Sequence, residues 1–135
     1  MASDPVHLFV YGTLKIGCKN PTARFLHSTQ KHVGKAHFPG KLFRVSFYPG
    51  AVYVPESDNK VYGDLFEITS QRERLFSVLD EYEGIGNTFD AAQEFKRKTI
   101  PVHYQGEQIP TLSYLFDQDY SSYPLIESGN FEIFE

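Results

Sequence analysis

Short β-branched and aromatic runs, each cut off by glycine or by Pro-Gly, set the folding problem for this chain. The run beginning at His7 stops at Gly12, and residues 31–38 and 41–46 read as separate strands parted by Pro39-Gly40. Residues 48–54 turn at Pro49-Gly50, and residues 61–68 follow a polar turn over 56–60. Residues 94–104 and 109–116 flank Gln105-Gly106-Glu107 and predict a hairpin. Strands this short leave many unpaired edges, and a sheet that closes on itself removes them. Helical segments lie among the strands, the first opening at Asn20-Pro21 as N-cap and first helical residue and running through Phe25 and Leu26. The pattern predicts an α+β fold on a small curled sheet or barrel, with residues 123–131 laid over it as an extended cover.

The first run, His7-Leu-Phe-Val-Tyr-Gly-Thr-Leu-Lys15, delivers a loop directly from a strand. Phe9, Val10 and Tyr11 suit a pleated surface, and Gly12 suits a sharp turn that lets a ligand approach the backbone. The residues after Gly12 then offer successive N–H groups and the Thr13 hydroxyl, which can hold a carboxylate or a carbonyl oxygen. An ordinary strand end followed by a turn accounts for the same residues.

The second informative segment is Ser70-Gln-Arg-Glu-Arg-Leu-Phe-Ser-Val-Leu-Asp-Glu-Tyr-Glu-Gly84. Ser70 with Glu73 is a capping-box start, and Leu75, Leu79 and Tyr82 recur at helical spacing, with Phe76 and Val78 widening the apolar face. Gly84 is the expected left-handed stop. Asp80, Glu81 and Glu83 put carboxylates at the negative end of the helix dipole, where Lys or Arg is favoured by about 0.3–1 kcal/mol per charge. Such a cluster is either a functional site, set against local stability, or a group of solvated surface acids.

At 135 residues the chain predicts a single domain over 1–135, able to form a core without a metal or a disulfide. A net charge of −4, no Lys/Arg stripe and no Trp speak against nucleic-acid binding. The single Cys18 predicts a reducing, cytoplasmic setting, and no partnered base marks it as a nucleophile. The N-terminus lacks an export-signal pattern and no stretch reaches membrane-spanning length. His7, His27, His32, His37 and His103 are scattered, so no metal site and no cofactor is expected.

Taken together, Phe9-Val-Tyr-Gly-Thr-Leu14, Tyr48-Pro-Gly-Ala-Val52, Val61-Tyr-Gly-Asp-Leu-Phe66, Leu79-Asp-Glu-Tyr-Glu-Gly84, Phe95-Lys-Arg97 and Ile126-Glu-Ser-Gly129 resemble, in order, the γ-glutamylcyclotransferase-like superfamily. The resemblance implies a small mixed, mostly antiparallel β-barrel with two or so helices outside and a pocket at one end. It also implies conversion of γ-glutamyl compounds to 5-oxoproline, with a small-molecule substrate and no cofactor. Carried over by position, Glu83 is the essential carboxylate and Tyr11, Gly12, Thr13 and Leu14 form the loop for the glutamyl group. Tyr114 is the late-strand tyrosine of the pocket and Gly50 helps shape its wall. Phe95 departs from the tyrosine many members carry there. The Tyr11-Gly-Thr-Leu-Lys-Ile-Gly17 form of the loop is most similar to the γ-glutamylamine branch. Some family members have no assigned activity, so a non-catalytic domain binding γ-glutamyl or other carboxylate ligands is the alternative.

The chemistry suits one carboxylate. The substrate's own α-amine attacks its γ-carbonyl, so Glu83 would first accept a proton from the ammonium and then protonate the leaving amine. That double role works best with a pKa near neutrality, and the helix dipole, Asp80 and Glu81, or burial beside Tyr82 and Ile85 would each raise it.

Overall fold

The computed structural model describes residues 5–46, 48–83 and 94–131. In chain order the elements are β1 (His7–Val10), α1 (Pro21–Thr29), β2 (Lys31–Arg44), β3 (Pro49–Tyr53), β4 (Lys60–Glu67), α2 (Arg72–Tyr82), β5 (Phe95–Tyr104) and β6 (Glu107–Phe116). The sheet order is β3-β2-β4-β1-β6-β5, and β5 returns to β2 where His37 faces His103. That contact closes β2, β4, β1, β6 and β5 into a barrel, with β3 added outside the ring along the last part of β2. β1 and β6 run parallel and the other paired strands are antiparallel. The expected hairpin joins β5 to β6, with Gln105 and Gly106 both at positive φ, as a tight two-residue turn between twisted strands requires.

Period-two alternation along β1 sends its side chains to two cores. Phe9 joins Phe38, Leu42, Val61, Leu65 and Val102 within the barrel, while Leu8 and Val10 face Leu26, Phe66, Leu75 and Leu79 beneath the helices. Both faces of β1 are therefore covered, and β4 comes close enough beside it that a Cβ on Gly63 would lie 2.2 Å from the Val10 carbonyl oxygen. The extended cover is also present: Ile126 N–H donates to Leu42 O (2.7 Å), Tyr62 N–H donates to Gly129 O (2.8 Å), and Phe131 is buried with the barrel core. Among the described residues no helix is long and apolar enough to cross a membrane.

Local expectations fail at two places. Residues 31–38 and 41–46 are not two strands, because β2 continues through Pro39-Gly40 to Arg44. The chain survives a proline there because it changes partners: up to Pro39 it pairs with β4, and from Gly40 it pairs with β3. The Ser70/Glu73 capping box does not form. α2 starts at Arg72 after a left-handed Gln71 with no side-chain cap, and the Ser70 hydroxyl donates to Thr29 O (3.0 Å). Gln30, just past α1, takes over the local role. Its Oε1 accepts from Thr69 N–H (2.8 Å) and its Nε2 donates to Ser70 O (2.8 Å), so a buried amide from another element satisfies this turn. Gly84, the expected stop, lies outside the described residues.

At α1 the local reading holds. Asn20 Oδ1 accepts from Ala23 N–H (2.8 Å) with Pro21 at the first helical position, and Asn20 Nδ2 donates to Thr13 O (2.7 Å). Asn20→Ala loses the helix cap and the tie to the loop together. It is expected to cost about 1–2 kcal/mol, read as a lowered urea midpoint with an unchanged m-value.

Candidate active site

The parallel pairing of β1 with β6 brings the strand-end residue Tyr11 beside Tyr114. The Tyr11 hydroxyl donates to Tyr114 O (2.5 Å) and accepts from Ala51 N–H (3.2 Å), which ties β1, β6 and β3 at one point. Burial, reinforced by the nearby Glu83 carboxylate, holds this phenol well above its ordinary range, so it stays protonated.

The loop beyond Tyr11 is anchored through its carbonyls. Lys15 N–H donates to Gly12 O (3.2 Å), Asn20 takes Thr13 O, and His27 Nε2 meets Leu14 O (2.8 Å). Ile16 N–H donates to Asp64 Oδ2 (2.9 Å), and the fully buried Asp64 is in turn held by His32 and Lys35, each at 3.1 Å. The N–H groups of Gly12, Thr13 and Leu14 have no partner among the described residues. Gly12 does not use the left-handed conformation. Its lack of a side chain instead admits Pro49, whose Cγ would lie 2.9 Å from an added Cβ.

This loop forms one side of a cavity of about 340 Å³. Glu81, Tyr82 and Glu83 at the end of α2 line it as well, with Tyr48, Pro49, Glu94, Phe95 and Tyr114. Of the residues singled out in the sequence, Tyr11, Gly12, Thr13, Leu14, Glu83 and Tyr114 are brought together here. Gly50 is not. Pro49 supplies that wall, and Gly50 sits behind it with space only for the Phe116 ring, 2.8 Å from where a Cβ would be.

Glu83 follows the last helical residue of α2, with its N–H donating to Leu79 O (2.9 Å). Its carboxyl has no hydrogen-bond partner among the described residues, and burial pushes it up to about 8. Of the causes considered from sequence, burial is the one that acts. Asp80 is already engaged, by Arg97 (3.0 Å) and by the Tyr114 hydroxyl (2.5 Å), so the acidic helix end is partly neutralised from β5 and β6. Tyr114→Phe removes one of these two bonds. It is expected to lower stability by about 1–2 kcal/mol, measured by chemical denaturation, with Arg97 retaining Asp80.

The sequence reading missed Tyr48, Tyr82 and Glu94. Tyr82 fell on the apolar stripe of α2, yet it is a rim residue, 40% exposed, with its hydroxyl 2.7 Å from Thr13 Oγ1. That bond links the helix end to the loop across the cavity. The Tyr48 hydroxyl donates to Glu94 Oε1, and burial together with this carboxylate raises the phenol to about 12. Glu94 carries no local signal, since only the strand alignment sets it opposite Tyr48. Phe95 is buried against Tyr48 and Phe116, with ring centroids 6.0 and 5.6 Å away, so the wall is apolar at that point.

With this geometry in view, the model of the family described as gamma-glutamyl cyclotransferase, AIG2-like, matches residues 8–133. No curated protein matches the chain in sequence. Among solved structures the chain is similar to an AIG2-like protein from Mus musculus (TM-score 0.69, 21% identity, covering 94% of this chain and 88% of that one). It is also similar to YtfP from Escherichia coli (TM-score 0.62, 22% identity, 93% and 95% covered). Bacillus subtilis YkqA gives a TM-score of 0.68 at 24% identity, covering 93% of this chain, which spans only 39% of YkqA. These likenesses are likenesses of fold.

Proposed function

Given that the chain belongs to the gamma-glutamyl cyclotransferase, AIG2-like family, we propose that it cyclises a γ-glutamyl amine or amino acid to 5-oxoproline and releases the free amine. The observation that carries this reading is Glu83, a carboxyl without a partner among the described residues, which lines one cavity with the Gly12–Leu14 loop, whose N–H groups also lack a partner among the described residues.

In the proposed reaction Glu83 takes a proton from the substrate's α-ammonium. The freed nitrogen attacks the γ-carbonyl carbon and forms the ring C–N bond, as the carbonyl oxygen gains charge near the loop N–H groups. The C–N bond to the leaving amine then breaks as Glu83 returns that proton to its nitrogen, and the ring nitrogen passes its second proton to the departing amine, which leaves as an ammonium. Atoms balance without water or a cofactor. The nucleophile and electrophile belong to one molecule, so holding the folded chain in a near-attack geometry supplies much of the rate. A pKa of about 8 on Glu83 lies close to that of an α-amino group, roughly 7.7–8.0, so transfer in either direction is nearly balanced. The lone Cys18 suits a reducing compartment, and the cytoplasm is the proposed setting.

The test is an assay for 5-oxoproline with purified protein and γ-glutamyl-alanine, γ-glutamyl-ε-lysine and glutathione. Turnover of at least one is the expected result. Tight binding of these compounds without conversion would replace the enzyme with a γ-glutamyl-binding domain on the same fold.

A further inference from the structure

The barrel closes through a single register pair, His37 on β2 with His103 on β5. The neighbouring strand pairs are joined along their lengths, from Lys31 to Pro39 between β2 and β4 and from Phe95 to Tyr104 between β5 and β6. Across the same seam the Tyr104 hydroxyl donates to Val33 O (3.2 Å). Ala36, Phe38 and Val102 are buried in the barrel core, so alternation puts both histidines on the outer face, where they are half-buried.

The two imidazoles lie nearly parallel, 19° apart, with ring centroids separated by 5.3 Å, and Tyr62 flanks His37 with its centroid 5.6 Å away. Neither imidazole has a hydrogen-bond or ion-pair partner among the described residues. The histidines are scattered in sequence, and only the strand register brings these two together. Neutral imidazole is the commonest metal ligand, and directly opposed residues of antiparallel strands are close enough to share one ion.

Rotation about χ2 turns a histidine ring about an axis through its centroid, so the 5.3 Å separation holds whichever nitrogen faces the partner. That torsion is soft, and here it breaks no hydrogen bond. A zinc ion at about 2.0–2.1 Å from one nitrogen of each ring lies about 3.2 Å from each centroid. Centroids 5.3 Å apart then subtend roughly 110° at the metal, the tetrahedral angle that zinc adopts. Among the described residues no group of three or more His, Cys, Asp or Glu side chains is placed to hold a metal, so solvent completes the coordination. Lys60, whose charge acts on His37, weakens the site without occupying a nitrogen.

We propose that His37 and His103 form a two-histidine site for zinc or a like divalent transition cation, which clamps the barrel across its seam. Imidazole suits zinc, copper and nickel, whereas magnesium and calcium take oxygen ligands. The site is separate from the cavity, which takes Phe95 from the start of β5 and no residue of β2. The clamp acts on stability and is independent of the reaction proposed above.

The test is thermal unfolding of the untagged, chelator-free protein with zinc chloride at about pH 7.5, above the ordinary imidazole pKa of about 6.5. A cation that binds only the folded state stabilises it by RT ln(1 + [L]/Kd), so zinc at tenfold its Kd should raise Tm by at least about 3 °C. Calorimetric titration should give one zinc per chain, and magnesium should give no shift. His37→Asn and His103→Asn should each weaken zinc binding at least about tenfold, while His7→Asn leaves it unchanged. In the parent protein, zinc should also protect His37 and His103 from modification by diethyl pyrocarbonate, a measurement that needs no folded variant. Failure to saturate below about 1 mM zinc, an equal response to magnesium, a shift that survives both substitutions, or undiminished modification of both rings would overturn the site.

Discussion

Glu83→Gln is expected to reduce kcat for 5-oxoproline formation on the order of 10³-fold or more while leaving KM within a few-fold. Two of the proposed proton transfers pass through this one carboxyl, and general acid–base catalysis by a positioned side chain contributes about 10²–10⁴-fold. Glutamine retains the shape and an acceptor oxygen but cannot move a proton, so binding of the glutamyl chain should persist. The stability of the variant separates lost chemistry from lost fold. The folded-state pKa of Glu83 is raised from 4.5 to about 8, so the folded protein holds this proton more tightly than the unfolded chain does. The associated stability is complete below about pH 4.5 and is lost as the pH rises through about 8. Glutamine has no proton to lose. The variant should therefore match its parent near pH 4 relative to other groups and become the more stable of the two near pH 9. A variant that is both inactive and less stable at pH 9 would point to a structural role for Glu83. A folded variant of undiminished activity would remove Glu83 from the chemistry.

The pH dependence of the parent protein should be equally pronounced. The proposed base must be ionised to begin the reaction, so log kcat/KM should rise with unit slope up to about pH 8 and then level. Activity at pH 6 would be roughly one hundredth of the plateau, from the tenfold per pH unit that a single titration imposes. The substrate ammonium adds its own limb, which titration of the free substrate identifies. Glu83→Asp should lower the plateau through misplacement of the carboxyl and retain a limb of the same sign. A limb near 4.5 in the parent would mean that the working carboxyl is a solvated one, and Glu81 would then be the group to replace. Tyr11 and Tyr114 should add no limb below pH 10, because burial holds both hydroxyls protonated.

Much of the fold was legible because its signals are local. Asn20-Pro21 contains a side-chain acceptor and a fixed φ that need no distant partner, and α1 begins there. Gln105-Gly106 admits positive φ at adjacent residues, and the β5–β6 hairpin turns on them. The same local logic failed at Ser70, where Gln30 from beyond α1 offers better hydrogen bonds than Glu73 can. It failed again at Pro39-Gly40, where a change of strand partner rather than a chain reversal accommodates the proline. Neither competitor has any expression in the neighbouring residues.

The candidate site divides along the same line. The Tyr11–Leu14 loop and Glu83 stand out in the sequence because a glycine-ended strand and an acidic helix end are contiguous patterns, and the ordered motifs place the chain in its family. Tyr48 and Glu94 are 46 residues apart and become partners only in the folded chain. Asp80 reads as one of several unfavourable acids until Arg97 and Tyr114 arrive from β5 and β6 to hold it. Local spacing thus marked most of the elements and several of their turns, and the ordered motifs, through the family they resemble, singled out Glu83 as the carboxyl proposed to react. Tertiary structure alone decided that the sheet closes at His37 and His103, that Glu83 lines one cavity with the Gly12–Leu14 loop, whose N–H groups lack a partner among the described residues, and that its proton is held to about pH 8. The reason is physical: a turn or a cap depends on a few adjacent dihedrals, whereas the cost of charging a carboxyl depends on the solvent displaced by residues that are distant in the chain.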